Sequence, residues 1–96
     1  MLTSKQRSKL RAMANTIEST YHIGKDGVTD IIVKELNALL EARELIKITI
    51  NKNSGLTAEE AINEVCEKTG ANPVSAIGGK IIIYKRSTKK PKIELD

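Results

Sequence analysis

Phenylalanine and tryptophan are absent from this 96-residue chain, and Tyr21 and Tyr84 are its only aromatic residues. Any core must therefore be aliphatic, and base stacking of the kind nucleic-acid readers obtain from aromatic platforms is scarce. A single cysteine, Cys66, excludes an internal disulfide framework. One histidine, His22, far from Cys66 in sequence, leaves no Cys/His set with zinc-ligand spacing. His22 also has no acidic or nucleophilic neighbour placed to work with it, so no catalytic role is assigned. No run approaches the ~18 apolar residues of a spanning helix, and residues 1–11 are too basic and too poor in apolar runs for a secretory signal. A soluble, cytoplasmic, monomeric protein without metal or cofactor is expected.

Charge is present in quantity, and its placement says more than its sum. The formal net charge is +4 and the sequence pI about 9.3. Residues 1–15 carry Lys5, Arg7, Lys9 and Arg11 with no acid, and residues 80–92 carry Lys80, Lys85, Arg86, Lys89, Lys90 and Lys92 with no acid. Between them six bases face ten acids. A polyanion-binding face opposite a repelling one is the expectation. Lys5, Arg7 or Lys9 should then share a surface with Lys25, Lys85 and Arg86, away from Glu59, Glu60, Glu64 and Glu67. Lys68, on the acidic helix, should stand clear of that surface.

The apolar residues mark the elements. Thr3 and Gln6 form a capping box, and Leu2, Leu10, Met13 and Ile17 follow as one helical stripe, with Lys5 and Lys9 on one flank and Arg7 and Arg11 on the other. A weak strand over 18–23 leads into Gly24-Lys25-Asp26-Gly27. Thr29 is a helix N-cap, and Ile32, Val33, Leu36, Leu39 and Leu40 share the inner face of a helix over 29–43. Residues 44–50 alternate, with Ile46, Ile48 and Ile50 on one side and Leu45, Lys47 and Thr49 on the other. Thr57 and Glu60 form a second capping box, opening a helix to about Thr69 that ends at Gly70. Strands over 73–77 and 80–84 meet through Gly78-Gly79, a hairpin signal. The order α-β-α-β-α-β-β implies a single α/β domain with a four-stranded mixed sheet and three helices. Residues 1–88 form the domain, and 89–96 are a basic, flexible tail.

The 24–27 loop carries the chemistry. Glycine at both ends permits positive φ and close approach of another backbone. The following helix start leaves amide groups that favour phosphate, and Lys25 adds a cation at the tip. The Walker pattern G-x-x-x-x-G-K-[ST] is absent, as is the third glycine of a dinucleotide loop.

Four blocks in order, LTSKQRSKLRAMA, IGKDGVT, ARELIKITI and AIGGKIIIYKR, resemble the CRM domain in its small stand-alone YhbY-like form, over roughly residues 2–86. The resemblance implies an RNA-binding module with a fold like the C-terminal domain of translation initiation factor three, in bacteria tied to large ribosomal subunit precursors. By position it implies contacts from Gly24, Lys25, Asp26, Gly27, Lys47, Lys85 and Arg86. The bases of the first helix, Lys5, Arg7, Lys9 and Arg11, would widen the footprint. The expected function is non-catalytic binding of structured ribosomal RNA. The alternatives are a protein–protein adaptor docking through Ile31, Ala38 and Ala42, and a small enzyme acting on a phosphorylated ligand at the loop.

Overall fold

The computed structural model describes residues 2–95. Met1 and Asp96, the outermost positions of the 1–88 and 89–96 segments, lie outside the described residues. The element order is α1 (Ser4–Ala14), β1 (Tyr21–Ile23), α2 (Asp30–Arg43), β2 (Leu45–Ile50), a 3-10 turn (Lys52–Ser54), α3 (Ala58–Thr69), β3 (Asn72–Ile77) and β4 (Lys80–Tyr84). Both capping boxes form: Thr3 with Gln6 starts α1, and Thr57 with Glu60 starts α3.

The four strands make one mixed sheet in the order β1-β2-β4-β3. β1 and β2 are parallel, whereas β4 is antiparallel to both β2 and β3. Within the closing hairpin β4 lies inside the sheet, between β2 and β3, and β3 takes the edge. The reason lies in composition. β4 holds the continuous run Ile81-Ile82-Ile83, suited to cover on both faces. β3 carries Pro73, which has no N–H to donate and belongs at an edge, and its register shifts between Pro73 and Ser75. The weak strand over 18–23 shortens to three residues, although the Thr20 amide still donates to the Lys47 carbonyl at 3.0 Å.

Two aliphatic cores sandwich the sheet. One face carries Ile23, Ile46, Ile48, Ile50, Ile81 and Ile83 against Leu36 and Leu40 of α2 and Ala61, Ile62 and Val65 of α3. The other carries Leu45, Val74 and Tyr84 against Leu10 and Ala14 of α1, with Leu2, Met13 and Ile17 at the margin. Cys66 is a half-buried packing residue whose thiol is pushed up to about 11 by burial. Basic α1 and acidic α3 thus lie on opposite faces, as the charge pattern predicts.

The segment set apart as a flexible tail, 89–96, has specific partners together with Ser87 and Thr88 just before it. Amides of Ser87, Lys92 and Ile93 donate to the buried Glu44 carboxylate at 2.6–2.9 Å. Glu41 accepts from the Ser87 and Thr88 hydroxyls and from the Thr88 and Lys89 amides. The Lys9 ammonium donates to the Glu94 carbonyl at 2.7 Å, joining tail to α1.

Candidate nucleic-acid interface

Residues 24–27 form a tight turn in which the Gly27 amide donates to the Gly24 carbonyl at 2.9 Å. Of the two glycines only Gly27 needs its lack of a side chain for conformation, with φ +69. A Cβ there would meet nothing within 4 Å, so the space above the turn is open. Lys25 and Asp26 are exposed at its tip. Thr29 caps α2 by accepting from the Ile32 amide at 3.2 Å. The cap spends one of the amides that the helix start was expected to offer, and the turn spends that of Gly27. The amides of Lys25, Asp26, Asp30 and Ile31 have no hydrogen-bond partner among the described residues. An anion entering here meets these donors and the Lys25 ammonium, with the carboxylates of Asp26 and Asp30 close in sequence.

The register places other turns beside this one. Ile23 pairs with Ile50, and the Asn51 amide donates to the Ile23 carbonyl at 2.9 Å. A Cβ on Gly24 would lie 3.8 Å from Asn53 Oδ1 and 3.9 Å from Asn51 Nδ2. The Ile50 amide donates to the Gly79 carbonyl at 2.7 Å, which brings in the 78–79 hairpin turn and Lys80. Asn51, Lys52, Asn53 and Lys80 therefore share the end of the sheet with Lys25. They were missed because Asn51, Lys52 and Asn53 lie in an unremarkable polar turn and Lys80 merely opens β4; only the pairing of β2 with both β1 and β4 assembles them.

The remaining bases do not join this group. Lys25 follows Ile23, opposite Ile50, while Lys85 and Arg86 follow Tyr84, opposite Leu45 at the other end of β2. Five residue steps, about 17 Å at ~3.3 Å each, separate those ends. The expected single surface for Lys25, Lys85 and Arg86 is thus corrected by the strand directions. Lys85 is half-buried, and its ammonium donates to the Thr69 carbonyl at 2.8 Å, closing the C-terminus of α3. Arg86 is exposed.

Lys47 stands half-buried in mid-sheet, on the face that α1 packs against. Lys5, Arg7, Lys9 and Arg11 are exposed along α1. Arg7 and Arg11 flank a shallow depression with Ser4 and Ser8, and Lys9 is turned to the tail. Lys68 does not stand clear: its ammonium donates to the Val28 carbonyl at 3.0 Å and to Glu64 at 2.8 Å, and this Glu64 contact raises its pKa. Ile31 and Ala38 are exposed on α2, whereas the tail's Lys92 reaches the Ala42 carbonyl at 3.1 Å and interrupts that strip. Among the described residues no three His, Cys, Asp or Glu side chains gather as a metal site, and no helix is long and apolar enough to cross a membrane.

The same architecture recurs in known proteins. The chain is 38% identical to the probable RNA-binding protein YqeI of Bacillus subtilis, an alignment that spans 99% of each chain. It is 29% identical to an RNA-binding protein of Haemophilus influenzae over 98% of this chain and 94% of that one. The solution structure of SAV1595 from Staphylococcus aureus, a candidate RNA-binding protein, superposes with a TM-score of 0.76 at 33% identity, covering all of both chains. These relatives are named for binding RNA and not for catalysis. The CRS1/YhbY (CRM) domain model matches residues 2–85. With its four-stranded mixed sheet, its glycine turn and this match over nearly its whole length, the chain belongs to the CRS1/YhbY (CRM) domain family.

Proposed function

We propose that this protein binds structured RNA without catalysing a reaction on it, holding phosphates at the 24–27 turn, and that it serves large ribosomal subunit assembly in the cytoplasm as a monomer. The observation that carries the reading is the bare turn itself: exposed Lys25, open space above Gly27 and unpartnered amides at Lys25 and Asp26, in a family whose named relatives bind RNA. The resemblance of the four sequence blocks supports the ribosomal setting. Recognition rests chiefly on backbone and shape, since Tyr84 is buried and Tyr21 donates its hydroxyl to Glu35 at 2.7 Å. Neutralising about four to six phosphates would give log K a slope of roughly −3 to −5 against log salt.

Fluorescence anisotropy with a labelled ribosomal RNA hairpin, titrated across salt concentrations, tests the site. Lys25→Ala should weaken binding and reduce the salt slope by about 1. Gly27→Asp should weaken it more, because it sets a carboxylate where phosphate must approach. Open space around that position lets the fold accept the side chain, leaving only the strain of its φ. Lys68 touches Val28 and cannot serve as a control; Arg43, exposed at the far end of α2, can. Equal losses from Lys25→Ala and Arg43→Ala, with Gly27→Asp harmless, would make the turn an ordinary one and any binding diffuse.

A further inference from the structure

Two large hydrophobic residues are highly exposed, Ile31 at 70% and Ile77 at 71%, and both sit at the same end of the sheet as the 24–27 turn. Ile31 lies in the first turn of α2, directly after that loop, and Ile77 opens the 78–79 hairpin turn. Between them stand Lys25, the 51–55 turn and Lys80. Three bare turns thus line one rim, running across the sheet from β1 to β3. Strand spacing of about 4.8 Å makes that rim roughly 14 Å wide. A Cβ on Gly27, Gly55 or Gly78 would meet nothing within 4 Å, so a second chain could lie close along it.

Asn51 and Asn53 are exposed in the middle of this rim, and their carboxamides flank Gly24. Neither side chain has a hydrogen-bond partner among the described residues. A carboxamide offers a donor and an acceptor on one plane, the pattern that pairs with a base edge, whereas lysine reads only charge. We infer that Asn51 and Asn53 read the base edges of an unpaired RNA segment lying along this rim, while Lys25, Lys52 and Lys80 hold its phosphates and Ile31 and Ile77 cover its sugar and base faces. Dimensions favour an unpaired segment over a duplex. Modules that read double-stranded RNA by shape span about 16 base pairs and contact phosphates on successive grooves. Three lysines on ~14 Å, with Asp26 and Asp30 beside them, are too few and too close together for that. All edges of a base are also reachable in unpaired RNA, whereas an A-form helix shuts its major groove to side chains and shows only the minor-groove edges.

This inference rests on the RNA-binding reading: the segment is an unpaired stretch of the structured RNA, and base discrimination there adds to recognition of backbone and shape. Labelled RNA octamers of each single base, and a duplex of about 16 base pairs, would be titrated against wild type, Lys25→Ala and the double variant Asn51→Ala/Asn53→Ala, each checked for fold by its amide NMR spectrum. Both asparagines are exposed, and the Asn51 contact to Ile23 is made by the backbone, which alanine retains. Wild type should prefer one octamer over the weakest by about tenfold, within the range of one bidentate contact. The asparagine variant should flatten that preference to within about twofold and leave the salt slope unchanged, while Lys25→Ala should lower all octamers alike and keep the preference. A preference that survives the asparagine substitutions, a wild type indifferent to base, or a duplex bound more tightly than every octamer would overturn the base-reading role while leaving RNA binding intact. Failure of wild type to bind any of these RNAs would instead sink the RNA-binding reading beneath it.

Discussion

Glu44 is the only non-glycine residue among those described with a positive φ, at φ 65 and ψ −45. It lies at the junction where α2 stops and β2 begins, buried, in a region of backbone space that ordinarily costs about 1–3 kcal/mol. The compensation is visible: its carboxylate takes the amides of Ser87, Lys92 and Ile93, and its carbonyl takes the Lys85 amide at 2.9 Å. Burial works to raise its pKa, but those amides and nearby Arg86 outweigh it and hold the carboxyl below the usual range. Glu44→Ala removes the acceptor and keeps the backbone strain, whereas Glu44→Gly removes both. Urea denaturation should therefore find Glu44→Gly less damaging than Glu44→Ala by about 1–2 kcal/mol. In the core, Leu36 is fully buried while Leu39 is only partly covered. Leu36→Ala should cost ~2–5 kcal/mol in the same assay, and Leu39→Ala clearly less.

The tail clamp belongs to the scale of elements. Hydrogen bonds from the Ser87 and Thr88 hydroxyls, then from the Thr88 and Lys89 amides, lower the Glu41 carboxyl from 4.5 to about 2. A carboxylate depressed in the folded state stabilises the docked tail above pH 4.5, and that contribution is lost as pH falls from 4.5 towards 2. An acid titration followed by amide NMR should show residues 87–93 losing their native shifts within that window, before the sheet amides do. Resonances of the tail and of β4 moving together throughout would mean that no separable clamp exists. Nothing in the sequence announces this contact, because it joins residues 43–49 positions apart and a basic, proline-containing stretch looks like solvated chain. The helices were legible for the opposite reason, since caps and apolar stripes are local. β4's central place could have been read from its three isoleucines and from Pro73 in its neighbour. The glycine turn was legible too, but its companions at 51–53 and 80 become neighbours only through strand register.

Across the whole molecule, charge is divided by the sheet. α1, with four exposed bases, covers part of one face, and α3 holds Glu59, Glu60, Glu64 and Glu67 on the other. We propose that this division steers a polyanion away from the α3 side. Both sheet edges are blunted, β1 by having three residues and β3 by its proline and bulge, so neither offers a long template for pairing with another copy. Sedimentation equilibrium should return the 10.5 kDa monomer across micromolar concentrations. A stable dimer would show that another surface, such as the exposed Ile31 and Ile77, takes part.

The contact between Lys9 and Glu94 brings the beginning and the end of the described chain together, near the Tyr84 end of the sheet and away from the 24–27 turn. Such a layout makes the domain a plug with its leads on one side. A short linker could join the two ends and new ones be opened elsewhere, as circular permutation allows when termini are adjacent and exposed. Immobilised on a bead by either end, the protein should present the same rim outward and capture RNA equally well from both attachments.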